Sequence, residues 1–143
     1  MIVYLDSSAL VKLYISEKGT PETVDLVGRS SQIGTASISR AEVSAAFAKA
    51  TRSGVLPRDE AFACLSRFRS SWPSLNNIRI TEELIVRADE MAWHYGLRGY
   101  DSVQLAAAFS WQSWLRTPIT FATFDARLWK AAHQIALRVF PAH

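Results

Sequence analysis

Short apolar runs alternate along this chain with segments of helical periodicity, and three of the runs are cut off by an aspartate. They are Ile2-Val3-Tyr4-Leu5 before Asp6, Leu97-Arg98-Gly99-Tyr100 before Asp101, and Ile119 to Phe124 before Asp125. A fourth acid, Glu42, stands near the start of another segment, Ile38-Ser39-Arg40-Ala41-Glu42-Val43. The alternation constrains the fold, because parallel strands need crossovers long enough to hold a helix. The acids add a second constraint. A carboxylate is costly to bury unless it is paired, hydrogen-bonded or bound to a cation.

Residues 2–5 read as a buried strand, and Ser8 to Ile15 as a helix. Thr20-Pro21-Glu22 opens a helix running to about Gly28, with Pro in its first turn. A short strand follows at 33–36. Ser39 then opens a long helix over 39–53, with Val43, Ala46, Phe47 and Ala50 on one face and Gly54 beyond its end. Pro57 starts a helix over 57–72, which Pro73 closes. A weak strand at 78–80, a helix from Thr81 to Tyr95 and a helix from Asp101 to about Trp114 come next. A strand at 119–123, a helix over 125–133 and a strand at 136–140 complete the chain. The pattern predicts one α/β domain over residues 1–143, with three layers and a mostly parallel central sheet of about five strands covered by helices on both faces. The helices at 39–53 and 57–72 carry Phe47, Val55, Leu56, Phe62, Phe68 and Trp72. That apolar bulk exceeds what a small domain is expected to bury, so part of the pair is expected to meet a partner.

The chain has 143 residues, with 16 basic against 13 acidic side chains. Setting aside the four acids above leaves 13 − 4 = 9 acids, a balance of +7 on the remainder. Twelve of the basic residues are arginine, the side chain that grips phosphate with two parallel hydrogen bonds. An acidic pocket in a basic surface suits a phosphodiester held beside metal ions. The single cysteine, Cys64, excludes an internal disulfide and a multi-cysteine zinc site, and is expected in the core. No basic region precedes the first apolar run, so no signal peptide is expected. The longest uncharged apolar run, Ser102 to Leu115, has 14 residues and falls short of the ~20 that cross a bilayer. A cytoplasmic protein without a membrane partner is expected. His94 and His133 lie in helical stretches without ligand spacing to each other, terminal His143 is expected to be solvated, and the tryptophans are expected mainly in the core.

Each acid has a structural explanation. Asp6, Asp101 and Asp125 sit where helices begin, and Asp is a preferred N-cap. Ser39-Arg40-Ala41-Glu42 fits the capping box, in which Glu42 reaches back to the Ser39 N–H. Taken together the acids point elsewhere. Ligands of an open parallel sheet bind beyond the carboxyl ends of its strands, where helices start, so all four are expected at one edge. Oxygen-only ligands select Mg²⁺, or Mn²⁺, over zinc. One or two such ions would lower the pKa of a water, orient it for attack on phosphorus and stabilise the leaving oxygen. Ser8 and Thr123 are the nearby hydroxyls able to orient a ligand or water.

Leu5-Asp6-Ser7-Ser8-Ala9-Leu10-Val11-Lys12-Leu13-Tyr14, with Glu17 and Gly19 following, resembles the opening motif of PIN-domain ribonucleases, especially the VapC toxins. Ser39 to Glu42 resembles the second acidic motif of that family, Tyr100 to Ala108 the third, and Ala122 to Leu128 the last. The resemblance implies that Asp6, Glu42, Asp101 and Asp125 are the catalytic metal ligands, supported by Ser8. It implies a Mg²⁺-dependent endoribonuclease, a homodimer, and a small VapB-like antitoxin that blocks the site. Phe124 stands where the family often has a small residue and is expected to narrow the pocket. Arg40, Arg98 and Arg127 flank the acids and are the expected RNA phosphate contacts. Two other readings compete. A PIN-like scaffold that binds RNA without cutting it would have no use for the full acidic quartet. A receiver-like phosphoacceptor domain needs an acid beside Asp6 and a lysine ending the last strand, where Ser7 and Arg138-Val139-Phe140 stand.

Overall fold

The computed structural model describes residues 1–142; His143 lies outside the described residues. Strand β1 (Ile2–Leu5) leads into the short helix α1 (Ser7–Val11), then α2 (Thr20–Gly28) and β2 (Gln32–Ala36). Helices α3 (Ile38–Arg52) and α4 (Arg58–Ser71) follow, and a 3-10 turn (Trp72–Ser74) leads to β3 (Asn76–Ile78). After α5 (Glu82–Tyr95) and α6 (Gly99–Leu115) come β4 (Thr120–Ala122), α7 (Ala126–Gln134) and β5 (Arg138–Phe140). The five strands pair in parallel in the order β3-β2-β1-β4-β5. The chain moves outward from β1 to β3 on one side, then returns across to β4 and β5. β1 and β4 are neighbours, with Leu5 opposite Ala122. Their carboxyl ends therefore flank the switch point of the sheet, where open α/β sheets hold their ligands.

The two-residue period of the strands sorts side chains between two cores. Val3 and Leu5 face α1 to α4, packing with Leu10, Leu26, Val43, Phe47 and Phe68. Tyr4 and Phe121 face α5 to α7, stacked at 5.5 Å beside Leu105, Trp111 and Leu128. Cys64 is buried in the first core, as expected.

Several boundaries differ from those expected. The third strand ends at Ile78 instead of starting there, because Asn76, Asn77 and Ile78 pair with Gly34, Thr35 and Ala36. Beyond them the Ile78 carbonyl accepts the Ser37 N–H. Helix α1 stops at Val11 and continues as turns, with Leu13 N–H bonded to the Leu10 carbonyl in place of an α-helical partner. Ala136 lies in the left-handed region, φ 61°, so the last strand starts only at Arg138. Helix α6 begins at Gly99, which makes Asp101 a first-turn residue and not the N-cap. The tryptophans also depart from expectation. Trp111 is buried, Trp72 and Trp129 are half-buried, and Trp93 and Trp114 are exposed, Trp93 at 91%.

Candidate active site

Asp6 follows β1, and its backbone N–H is bonded to the Ala122 carbonyl at the end of β4. Its carboxylate is buried and held by three neutral donors. Ser8 Oγ donates to Oδ1 at 2.6 Å, the Ala9 N–H donates to Oδ1 at 2.9 Å, and Thr123 Oγ1 donates to Oδ2 at 2.5 Å. Ser8 Oγ also accepts the Phe124 N–H at 2.9 Å, and Thr123 Oγ1 accepts the Asp125 N–H at 3.1 Å. These bonds tie the turn after β1 to the turn after β4. Asp6 caps α1 as well, so capping and site geometry use the same carboxylate.

Glu42 approaches from the first turns of α3. The capping-box reading does not hold, since Ser37 and not Ser39 precedes the helix and Glu42 reaches away from it. Glu42 Oε1 accepts Gln104 Nε2 at 2.6 Å. Gln104 is a site neighbour that the sequence reading does not single out. Its amide also donates to Ser39 Oγ at 2.9 Å and accepts from Tyr4 Oη at 2.5 Å. Thr35 Oγ1 lies 2.7 Å from Ser39 Oγ and donates to the Leu5 carbonyl, completing the buried array. The available signal was a lone amide inside the apolar run Val103 to Ala108, one helical turn after Asp101. A buried amide at such a position must find partners.

Asp101 and Asp125 close the other side. Arg98 Nε donates to Asp101 Oδ2 at 2.8 Å, and its Nη2 donates to Asp125 Oδ2 at 3.3 Å. Asp125 caps α7 through Oδ1, which accepts the Leu128 N–H at 2.9 Å. The other two arginines lie differently. The Arg40 guanidinium sits 5.8 Å from the Trp72 ring, and Arg127 lines a cavity of about 610 Å³ with His94, Tyr95, Gly96 and Lys130. Phe124 packs edge-on against Phe140, with Lys12 Nζ 4.3 Å from its ring centre and Gly19 against its rim. Its bulk is thus taken up beside α1 and α2.

The electrostatics describe one continuous cluster. Burial pushes the Asp6 carboxyl up to about 6, against the pull of the Ser8, Thr123 and Ala9 hydrogen bonds, and repulsion from Glu42 adds to the rise. Burial also raises Glu42, opposed by Gln104 and assisted by Asp101. Asp101 is raised by burial and by Asp125 despite the Arg98 pairing. Each acid therefore feels the next in the series Asp6, Glu42, Asp101, Asp125. Among the described residues, no three His, Cys, Asp or Glu side chains are drawn tightly enough to close a ligand shell. The donor set still fits a hard cation: it is all oxygen, and Glu42 keeps an oxygen beyond the one given to Gln104.

A parallel sheet with acids gathered at its switch point defines a class of α/β domain, and the comparisons identify the family. The model of the PIN domain matches residues 3–134, and the chain belongs to the PIN-domain family. Ribonuclease VapC45 and Ribonuclease VapC49, both of Mycobacterium tuberculosis, are each 30% identical to it over 142 residues, covering 99% of this chain and 96% of theirs. A toxin–antitoxin complex from Klebsiella pneumoniae contains a chain of the same fold, with TM-score 0.66 and 18% identity over 99% of this chain and 98% of that one. No helix of the described residues is long and apolar enough to cross a membrane.

Proposed function

We propose that this chain is a metal-dependent endoribonuclease of VapC type, the toxin of a toxin–antitoxin pair acting on cytoplasmic RNA. The observation that carries the reading is the buried Asp6 carboxylate, held by three neutral donors at the switch point with three further acids beside it. The likeness to two named ribonucleases over nearly the whole chain supports the activity. Mg²⁺ or Mn²⁺, as one or two ions, fits the oxygen donors. Bound there, the cation supplies Lewis acidity for hydrolysis of a phosphodiester bond.

The protein's own groups do the positioning. Ser8 and Thr123 fix both oxygens of Asp6, and Gln104 fixes Glu42. Arg127, Lys130 and His94 around the neighbouring cavity favour an RNA strand continuing past the acids, and Arg40 extends the basic rim toward α4. Partners follow from exposed apolar side chains. Phe62 and Val55 are 61% and 68% exposed while Phe47 and Phe68 are buried, so the α3–α4 pair offers an apolar face. We assign that face to a small antitoxin; that a chain of the same fold occurs in a toxin–antitoxin complex from Klebsiella pneumoniae supports such a partner. A homodimer would cover the exposed Trp93 and Val86 of α5.

The test is cleavage of total RNA by purified protein, with end mapping, in EDTA, Mg²⁺ and Mn²⁺. Cleavage is expected only with a cation, and none from Asp6→Asn purified identically. Cleavage that survives both EDTA and Asp6→Asn would contradict the assignment. RNA binding without cleavage would instead favour the scaffold.

A further inference from the structure

We infer that Arg98 is a built-in counter-ion filling the outer half of the acidic site, so that this chain takes one divalent cation beside Asp6, Glu42 and Asp101 and excludes a second from between Asp101 and Asp125. The inference rests on the metal-centre reading above. Asp125 has one oxygen committed, since Oδ1 accepts the Leu128 N–H. Its Oδ2 is the oxygen left to meet a cation, and Arg98 Nη2 is bonded to it. Asp101 likewise gives Oδ2 to Arg98 Nε. A divalent ion bridging these two oxygens needs each at about 2.1 Å, in the space the guanidinium fills.

The arginine cannot leave by losing its charge, because guanidinium stays protonated in proteins. Its position is also supported from the other side, with the guanidinium carbon 4.8 Å from the Tyr100 ring centre. The Arg98 backbone is anchored as well, its carbonyl accepting the Ser102 N–H at the start of α6. Asp101, Asp125 and Arg98 together carry −2 + 1 = −1. Asp6 and Glu42 carry −2 when ionised and accept hydrogen bonds from neutral groups, namely hydroxyls, a backbone N–H and an amide, while the Arg98 charge reaches Glu42 through space without a hydrogen bond. Most of the uncompensated charge lies in the inner half. A dication is needed there, whereas the outer half already holds its cation.

The experiment counts Mn²⁺ by electron paramagnetic resonance and calorimetry on the purified full chain and on Arg98→Ala, Arg98→Gln and Arg98→Lys. Wild type is expected to bind one Mn²⁺ per chain. Arg98→Ala and Arg98→Gln should bind a second at least tenfold more tightly than wild type does. Arg98→Lys, which keeps the charge and loses the fork, should remain at one; a purely structural role would make all three variants behave alike. The Arg98 side chain is 56% exposed, so its removal leaves the core intact, and far-ultraviolet circular dichroism checks each variant. Two ions in wild type, or one ion of unchanged affinity in folded Arg98→Ala and Arg98→Gln, would overturn the inference while leaving the metal centre standing. No Mn²⁺ bound to folded wild type would instead overturn the metal centre itself. Wild-type stoichiometry alone decides the matter if the neutral variants do not fold.

Discussion

Replacing Asp6 by Asn separates a charged site from a simple helix cap, because Asp and Asn are near-equal N-caps. Burial raises the Asp6 pKa from 3.8 to about 6 in the folded protein without cation. The sign follows from linkage: the folded state holds the proton more tightly, so stability is full below 3.8 and is lost as pH rises through 6. At pH 7.5 the charged carboxylate costs the fold about 3 kcal/mol, and at pH 4.5 about 1 kcal/mol. Asn removes that cost. It also reverses one hydrogen bond, since Nδ2 must donate to Thr123 Oγ1, whose own proton then loses its acceptor. A lost hydrogen bond of that kind costs about 1 kcal/mol. The net expectation in EDTA is Asp6→Asn more stable than wild type by about 2 kcal/mol at pH 7.5 and nearly equal at pH 4.5. Urea unfolding followed by tryptophan fluorescence at the two pH values measures both. Equal stability at pH 7.5 would mean that the folded protein bears no cost for the Asp6 charge, and the cap reading would stand in its place.

Two further expectations follow from the packing around the site. Gln104→Leu strips partners from Tyr4 Oη and Glu42 Oε1, and should destabilise the fold by about 2–4 kcal/mol in urea while weakening cleavage. Gly34→Ala places a Cβ 2.6 Å from the Trp111 ring in the sheet's covered face, and should cost about 1–3 kcal/mol by the same assay with cleavage retained at low temperature.

The alternation of strand and helix was readable because the buried strands are apolar and end sharply. Asp6 and Asp125 were found by that abruptness, and they do stand after β1 and β4. The third strand was displaced because its paired residues, Asn76 and Asn77, are polar on an edge, while Ile78 and Ile80 imitate a strand period. Trp93 is expected in the core because it occurs within a helix, but a helix has two faces. Leu84, Ala88, Met91 and Tyr95 mark the packed face of α5, and Trp93 falls away from it. Gln104 lies unremarked within the motif Tyr100 to Ala108, and the sequence alone presents Arg98 as an RNA contact. Their roles depend on Tyr4, Glu42 and Asp125, partners from separate segments that only the fold brings near.

The central claim is that Asp6, Glu42 and Asp101 hold one divalent cation, with Asp125 completing the acidic cluster through Arg98. Anomalous diffraction from crystals soaked in Mn²⁺ tests it most directly. The account predicts a manganese peak within coordination distance of Asp6, Glu42 and Asp101 oxygens. Crystals of RNA-cleaving protein with no peak among the four carboxylates, or with manganese bound only elsewhere, would contradict it.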